Sequence, residues 1–345
     1  MSIYIVSKDN ISYPALMSEK FHATLPACFY HAALLLLLLG LSLFRPAPSL
    51  ATGPEAGEAE EPEAGETGEQ NLPLLGFHQV RPGLELAMAE LPESRQKGSG
   101  ALLVLLRIDP ARHDFALSMA AEAGAAHSFA GWSRRDDLRA GINASMYLPD
   151  MRTSTGFMRN KALVNNDKLG ARLGAFFLAG PRNPDLAAAL IIDRHRPGWR
   201  ALLEEYDIVV QNYRFMDEKG KALWKPDGQT YSMAVVGQDG AGRILFILSQ
   251  EPLSAERFAF YLSALPLDLR SVMYVEGGAQ AGLFLRLEKD DAMQLKDAGA
   301  ALPGASGTSV DGGTVHVWKG RRSLLNTPGK ADAVLPNVIG IRRDF

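Results

Sequence analysis

A short apolar run followed at once by a carboxylate and two glycines is the feature that most restricts how this chain can fold. Residues 271–287 read SVMYVEGGAQAGLFLRL, and residues 272–275 have the length and the bounding turn signals of a buried strand. Gly277 and Gly278 then permit a sharp turn or a close approach of the backbone to a ligand. Glu276 is therefore predicted at a strand end, where it either takes part in chemistry or caps the following turn.

Similar runs recur along the chain and predict a sheet-rich fold. Strands are predicted at 102–108, 115–119, 140–144, 175–178, 208–210, 233–236 and 244–248, and around Val272, Leu283, Val315 and Val338. Helical spacing occurs at 128–138, 199–206 and 254–265, with Ser254 as an N-cap. We therefore expect an α+β fold, a single domain over 77–345 with a large mixed β-sheet core flanked by helices. Residues 290–313, rich in Ala, Gly and Asp, are predicted to form a long loop.

The amino-terminal residues have the composition of an export signal. Residues 32–44, AALLLLLLGLSLF, are too short for a comfortable membrane span and are followed by prolines and the small-residue site 49–51. This predicts a signal peptide over 1–51 cleaved after Ala51, with an uncleaved anchor as the alternative. Residues 52–76, with seven glutamates, are predicted to form a disordered acidic linker. The domain is therefore expected in the periplasm or outside the cell, and any membrane contact would be through the uncleaved segment.

Charge and motif content exclude several classes of function. The 345 residues carry 36 Lys+Arg and 39 Asp+Glu, a formal net charge of −3, which leaves no basic footprint for nucleic acid. Cys28 is the single cysteine, so an intrachain disulfide and a thiolate metal cluster are excluded. The sequence contains no HExxH, Gly-x-Ser-x-Gly, P-loop or dinucleotide motif, and its histidines lack metal-ligand spacing. No cofactor or metal is predicted, although Asp150 or Glu276 with backbone carbonyls is compatible with Ca²⁺.

Two further polar clusters follow predicted strands. Residues 143–156, NASMYLPDMRTSTG, suit sugar or phosphate recognition, or else form a turn in which Asn143 and Asp150 bond their own backbone. After the strand at 208–210, Gln211 and Asn212 can bond sugar hydroxyls and Arg214 can bind a phosphate. We expect these clusters and Glu276 to converge on one rim of the sheet.

The order of several short motifs over residues 102–342 resembles that of the phosphodiester glycosidase family. The motifs are NASMY at 143–147 with Thr155-Gly156, QNYR at 211–214, YSMAVVG at 231–237, LFILS at 245–249, MYVEGG at 273–278 and PNVIG at 336–340. The resemblance implies an enzyme that acts on glycosyl-1-phosphodiesters, releasing the sugar and leaving a phosphate monoester. The chain departs from the family pattern at Glu276, usually Asp, at Ala144-Ser145, usually glycines, at Gln280, often Ser or acidic, and at Ser232, near a basic position.

The resemblance also implies roles for individual residues. Glu276 is assigned as nucleophile or base, Asp150 as a second carboxylate, and Asn143 as a partner of the sugar or the attacking water. Arg214 and Arg152 are assigned to the phosphate. The remaining assigned substrate contacts are Ser145, Tyr147, Gln211, Asn212, Ser232, Gly277, Gly278 and Gln280. Because a phosphate monoester departs as an anion, this chemistry needs fewer carboxylates than ordinary glycoside hydrolysis.

Three other functions are compatible with these residues. The first is an exported carbohydrate-binding protein that has the same fold and no turnover. The second is a conventional glycosidase in which Asp150 or Glu251 pairs with Glu276. The third is a structural envelope protein without a site. The expected partner in the first two, as in the enzyme, is a carbohydrate or glycosyl-phosphate.

Overall fold

The computed structural model describes residues 72, 74–217, 219–224, 228–322 and 327–342. The predicted signal segment, 1–51, and residues 52–71 of the predicted linker lie outside this part of the chain. No helix within the described residues is long and apolar enough to cross a bilayer.

Strands dominate the described chain. In chain order they are β1 (His78–Arg81), β2 (Leu84–Glu90), β3 (Leu102–Ile108), β4 (Phe115–Met119), β5 (Leu138–Asn143), β6 (Met158–Asn160), β7 (Leu163–Asn166), β8 (Ala175–Pro181), β9 (Ala189–Asp193), β10 (Tyr206–Asn212), β11 (Tyr231–Asp239), β12 (Ile244–Leu253), β13 (Leu269–Gly277), β14 (Gly282–Leu287), β15 (Ser306–Val310), β16 (Gly313–Lys319), β17 (Arg321–Arg322), β18 (Thr327–Pro328) and β19 (Asn337–Arg342). The helices are α1 (Pro92–Lys97), α2 (Ala120–Ala123), α3 (Phe129–Asp136), α4 (Trp199–Glu204), α5 (Ala255–Ala264) and α6 (Lys289–Asp297). A 3-10 turn spans Gly278–Gln280.

The predicted α+β class is confirmed, but the strands are divided among three antiparallel sheets instead of one large mixed sheet. The first sheet has the order β1-β2-β3-β12-β11-β13, the second β15-β16-β14-β5-β19-β4 and the third β7-β6-β10-β8-β9, while β17 and β18 form a two-stranded ribbon. Short connections, such as residues 240–243 between β11 and β12, make neighbouring strands antiparallel.

One central core is shared by the three sheets. Each sheet directs one face into it, with Leu106 and Phe246 from the first sheet, Ile142 and Leu285 from the second, and Phe177 and Val210 from the third. The opposite faces are covered separately: α5 packs on the first sheet through Phe258, α3 on the second through Trp132, and α4 on the third through Leu203. A strand buried on both faces must be apolar almost throughout, which explains the run LLVLLRI in β3.

The segment predicted as a long loop, 290–313, instead contains most of α6 and all of β15. The Glu288 side chain accepts a hydrogen bond from the backbone at the third helical position, and Asp291 accepts one from the Glu288 N–H at 2.9 Å. This capping box begins α6, so the acidic residues that resembled a loop mark a helix start. The predicted N-cap of α5 is confirmed, since Ser254 Oγ accepts from Arg257 N at 3.2 Å.

Gly141 in β5 lies where the second sheet is packed most tightly. A Cβ built on it would lie 2.5 Å from Phe284 Cε1 and 2.9 Å from Val338 Cγ1. We expect Gly141→Ala to lower the free energy of unfolding by about 1–3 kcal/mol, because an added methyl overpacks this site. Urea unfolding of the full-length chain measures this. Gly76→Ala, where a Cβ meets no atom within 4 Å, is the control. Equal midpoints for the two variants would contradict the packing argument.

Candidate active site

A β-bulge at the end of β13 sets the direction of Glu276. Ala234 in β11 lies opposite Glu276, whereas the next residue, Val235, lies opposite Tyr274, so Val275 is an extra residue in the edge strand. Residues opposite one another share a face, and Ala234 faces the central core. Glu276 therefore points to the core side. Without the bulge, alternation would place Glu276 on the outer face beside Tyr274.

The two glycines after Glu276 are each required by the geometry. A Cβ on Gly277 would lie 2.2 Å from the Tyr274 hydroxyl, and Gly278 has a left-handed φ of +62°. The Gly277 N–H donates to Glu276 Oε1 at 2.9 Å. The chain thus turns directly from β13 through the 3-10 turn into β14 of the second sheet, and Glu276 lies at the junction of the two sheets.

Lys319 at the end of β16 reaches the same turn from the second sheet. It is 4 % exposed, its Nζ lies 5.2 Å from the centroid of the Phe129 ring, and it donates to the Gln280 carbonyl oxygen at 2.7 Å. Gly282 lies opposite Lys319, and a Cβ there would be 2.8 Å from Lys319 Cδ. The missing side chain at Gly282 is what lets the lysine lie between Phe129 and the turn.

Asn143 at the end of β5 fixes the turn from a third strand. Its Oδ1 accepts from Gly282 N at 2.8 Å and its Nδ2 donates to the Gln280 carbonyl at 3.2 Å. The Gln280 carbonyl oxygen therefore holds both Asn143 and Lys319. The Gln280 side-chain Oε1 is buried and has no hydrogen-bond partner in the described part of the chain, so it is an acceptor that a ligand can satisfy.

Burial moves the ionisation of both charged groups towards neutral pH. Desolvation raises the pKa of Glu276 to about 7, although the Gly277 N–H and the charge of Lys319 act in the opposite direction. Desolvation also lowers the pKa of Lys319 to about 8, opposed by the charge of Glu276. A carboxyl and an amine that both titrate near pH 7 are suited to proton transfer and to the stabilisation of developing charge.

Ser232 belongs to the framework beneath the site. Its Oγ donates to the Gln250 carbonyl at 2.6 Å and accepts from Arg321 N at 2.8 Å. Gln250 Nε2 in turn donates to the Lys319 carbonyl at 3.1 Å. These bonds tie β11, β12, β16 and β17 together and fix the backbone from which Lys319 extends.

The segment after Asn143 follows the turn interpretation at Asp150. This exposed carboxylate accepts from Arg152 N at 3.0 Å, from Thr153 N at 2.9 Å and from Thr153 Oγ1 at 2.5 Å, and the Thr153 hydroxyl holds its pKa below the ordinary value. Arg152 donates through Nη2 to the Gly124 carbonyl. Ser145 Oγ donates to the Met146 carbonyl at 2.9 Å, and Tyr147 is buried and bridged to Ser154.

The cluster predicted to follow the strand at 208–210 lies at the end of β10, with Gln211 and Asn212 inside the strand, and is largely engaged in its own structure. Gln211 accepts from Phe157 N and Gly170 N and donates to the Gly170 and Leu173 carbonyls, so both ends of its amide are used. Asn212 Oδ1 accepts from Tyr213 N, while its buried Nδ2 lacks a partner within the described ranges. Arg214 pairs through Nε with Asp193 Oδ2 at 2.7 Å beside a cavity of about 60 Å³. The structure thus brings Asn143 and Gln280 together at the turn over residues 277–282 that follows Glu276, which we call the Glu276 turn. Arg214 is paired with Asp193 instead.

Sequence reasoning missed Lys319 and Gly282. The alternation of β16, GTVHVWK, carries the signal for Lys319, because Val315, Val317 and Lys319 share the face covered by α3. A lysine continuing a buried apolar series is a marker of an unusual environment. No cluster of three or more His, Cys, Asp or Glu side chains that could hold a metal ion occurs among the described residues.

The α+β fold is similar to that of a glycosidase catalytic domain of known structure. This is the zebrafish N-acetylglucosamine-1-phosphodiester alpha-N-acetylglucosaminidase catalytic domain, auto-inhibited by its pro-peptide, with a TM-score of 0.50 and 10% sequence identity over 79% of this chain and 89% of that chain. At that identity the similarity establishes the fold alone.

Two other solved structures match more distantly. A hypothetical protein from Synechocystis has a TM-score of 0.46 at 11% identity, over 79% of this chain and 64% of that one. A putative exported protein from Burkholderia pseudomallei K96243 has a TM-score of 0.36 at 9% identity, over 70% of this chain and 74% of that one. No protein-family model and no curated protein sequence matches the chain.

The raised pKa of Glu276 makes stability depend on pH. An ordinary glutamate loses its proton near pH 4.5, whereas Glu276 in the folded chain keeps it to about pH 7. Between these values the folded state binds more protons than the unfolded state, so stability falls as pH rises. We expect Glu276→Gln to match the wild type near pH 4.5 and to be more stable above pH 7, by on the order of 2 kcal/mol. Lys319 loses its partner charge in the variant, which reduces the gain.

Urea unfolding between pH 4.5 and 8 measures this dependence. Exposed Glu122→Gln, which changes the same charge, should leave the wild-type pH dependence intact. A Glu276→Gln variant that keeps the wild-type fall in stability would show that Glu276 is not a desolvated carboxyl.

Proposed function

We propose that the protein is an exported hydrolase that cleaves a glycosyl-1-phosphodiester bond in a glycan or cell-envelope polysaccharide. The observation that carries the proposal is that buried Glu276 and Lys319 lie at one turn, where burial raises the pKa of Glu276 to about 7 and lowers that of Lys319 to about 8. The fold similarity to a glycosidase catalytic domain supports it. Export rests on residues 32–51 of the sequence.

Glu276 is the general base of the proposed reaction. As a carboxylate it removes a proton from a water molecule whose oxygen bonds to the anomeric carbon of the sugar. The bond from that carbon to the phosphate oxygen breaks, and its electron pair leaves with the phosphate. The products are the free sugar and a phosphate monoester. A base with a pKa of about 7 is matched to this task near neutral pH.

Lys319 stabilises the leaving group. Its pKa of about 8 keeps the ammonium largely charged at pH 7, and its burial strengthens its attraction for negative charge that develops on the phosphate. A phosphate monoester has a second pKa near 6 and can depart without a proton. One carboxylate and one cation are therefore sufficient for the bond cleavage.

Other residues at the turn position these groups and the sugar. Asn143 fixes the Gln280–Gly282 backbone, and the open Oε1 of Gln280 accepts from a sugar hydroxyl. Ser145, Tyr147 and Arg152 remain proposed contacts on the segment after Asn143. No cofactor is required by this scheme.

A carbohydrate-binding protein without turnover is the second candidate. Asp150 is held by Thr153, and Glu251 is held by Lys97 Nζ at 2.5 Å and Ser99 Oγ at 2.9 Å. These pairings occupy both carboxylates that a conventional two-carboxylate glycosidase would use with Glu276. Glu276 itself is only 6 % exposed. In a binding protein without turnover, substrate does not reach this carboxylate, and its role is to hold the turn.

Loss of the Glu276 charge should abolish most turnover. We expect the full-length chain to release sugar and phosphate monoester from at least one member of a panel of sugar-1-phosphodiesters. Glu276→Gln should lower kcat by about 100-fold or more, because the amide cannot remove a proton from water. Glu122→Gln is the matched control. Sugar binding without turnover by the wild type would favour the binding protein.

The pH dependence of activity tests whether Glu276 and Lys319 act together in the reaction. Activity requires a deprotonated Glu276, with a pKa of about 7, and a protonated Lys319, with a pKa of about 8. We expect kcat/KM to rise towards pH 7 and fall above pH 8, with apparent pKa values that belong to the coupled pair.

Lys319→Met should remove the alkaline decline and lower kcat, whereas exposed Lys168→Met should change neither. An alkaline limb that persists unchanged in Lys319→Met would refute the assigned role of this lysine.

A further inference from the structure

A second concave site lies on the outer face of the first sheet. We call it the aromatic pocket and define it by Lys221, Trp224, Glu256 and Phe260, which line a cavity of about 390 Å³. That volume falls within the range of small-ligand pockets. None of these residues contributes to the Glu276 turn, so the pocket needs its own explanation.

Aromatic rings build one side of the pocket. The Trp224 ring is half-buried and held by edge contacts with Tyr213 and Phe215, at centroid distances of 5.8 and 5.9 Å. Phe260 on α5 is 38 % exposed, between buried Ala259 and Tyr261. Such fixed rings offer apolar surface at little cost in conformational entropy, and the C–H faces of a pyranose pack well on them.

Charged side chains on the pocket's rim indicate which kind of ligand fits. Lys221 and Glu256 are both exposed there, and they supply hydrogen-bond donors and acceptors to the same cavity. A hydrocarbon chain would desolvate these groups without bonding them. A sugar satisfies both requirements, because its ring faces are apolar and its hydroxyls lie around the edge.

Tyr274 connects the pocket to the Glu276 turn. Its ring centroid lies 4.6 Å from that of Trp224, and its hydroxyl lies against Gly277, the residue after Glu276. The pairing of residues 213–215 with β13 extends to Tyr274, where the Tyr274 N–H donates to the Tyr213 carbonyl at 3.0 Å. Tyr274 thus contacts both the pocket on the outer face and the turn that follows Glu276 at the edge of the sheet.

From this arrangement we infer that the aromatic pocket is a carbohydrate subsite that binds a neighbouring sugar unit of a glycan substrate. The inference extends the proposed function, and it rests on that function only in treating the bound glycan as a substrate. The pocket selects glycans of two or more units, with one unit stacked on Trp224 and Phe260 and the next placed towards the Glu276 turn.

Binding to the full-length chain tests the subsite without any turnover. Chitotriose, cellotriose and maltotriose are titrated calorimetrically, with decanoate as the hydrocarbon probe. We expect at least one trisaccharide to bind and Trp224→Ala to weaken it by about tenfold, the effect of losing one ring contact. Phe260→Ser should weaken it severalfold. Trp199→Ala is the matched control, because Trp199 stacks on Phe176 at 5.0 Å on the third sheet.

Trp224→Phe keeps a ring and should retain most of the binding even if Trp224→Ala fails to fold. The inference is overturned if no trisaccharide binds the wild type, if decanoate alone binds, or if folded Trp224 and Phe260 variants bind as the wild type does. Exposed Glu122→Gln should leave the titration unchanged. Trp224-dependent binding with no phosphodiester hydrolysis would retain the subsite and refute the proposed function. Hydrolysis with an unchanged KM in Trp224→Ala would retain the proposed function and refute the subsite.

Discussion

The β-bulge at Val275 is the constraint on which the candidate site depends. Regular alternation would place Glu276 on the same face as Tyr274, against the aromatic side chains beneath α5. One extra residue turns Glu276 to the core side of the first sheet, while Asn143 and Lys319 reach the following turn from the second sheet through the Gln280 carbonyl. An edge strand followed by two glycines tolerates the lost ladder bond better than a central strand would.

The site places two ionisable groups, Glu276 and Lys319, where burial disfavours the charged form of each. The pKa of Glu276 is raised and that of Lys319 is lowered, so their mutual attraction only partly offsets the loss of hydration. Two neutral features hold Lys319 in place, the Gln280 carbonyl and the missing side chain at Gly282, and the Gly277 N–H holds Glu276. Such destabilising arrangements are more common at functional sites than elsewhere in proteins.

Much of the fold was predictable because its strands are buried on both faces. The run in β3 and the sequence before Glu276 indicate strands because each is an apolar run bounded by turn signals and too short for a typical helix. The acidic start of α6 was misread, because aspartate favours both loops and helix N-termini. The division into three sheets was not predictable, because strand order depends on packing between distant parts of the chain.

Residue type predicted the candidate site less well than the fold. Glu276 and Asn143 were identified because each ends an apolar strand. Gln211 and Asp150 had the right chemistry, but their hydrogen-bonding groups are used by nearby backbone, which a sequence does not reveal. Lys319 was missed because a lysine at a strand end is normally solvated, and only its register with Val315 and Val317 indicates burial.

The longer side chain at position 276 has a physical consequence at this turn. In the pattern that the sequence resembles, aspartate is usual here, and glutamate adds one methylene. Oε1 of Glu276 accepts from the N–H of the next residue, Gly277, at 2.9 Å, so the extra length lets the carboxylate fold back on its own turn. This bond stabilises the charged form while burial destabilises it, and the balance is a pKa of about 7. With Oε1 anchored in this way, the proposed reaction assigns the proton from water to Oε2. Glutamate at this position therefore differs from aspartate in how the carboxylate is held.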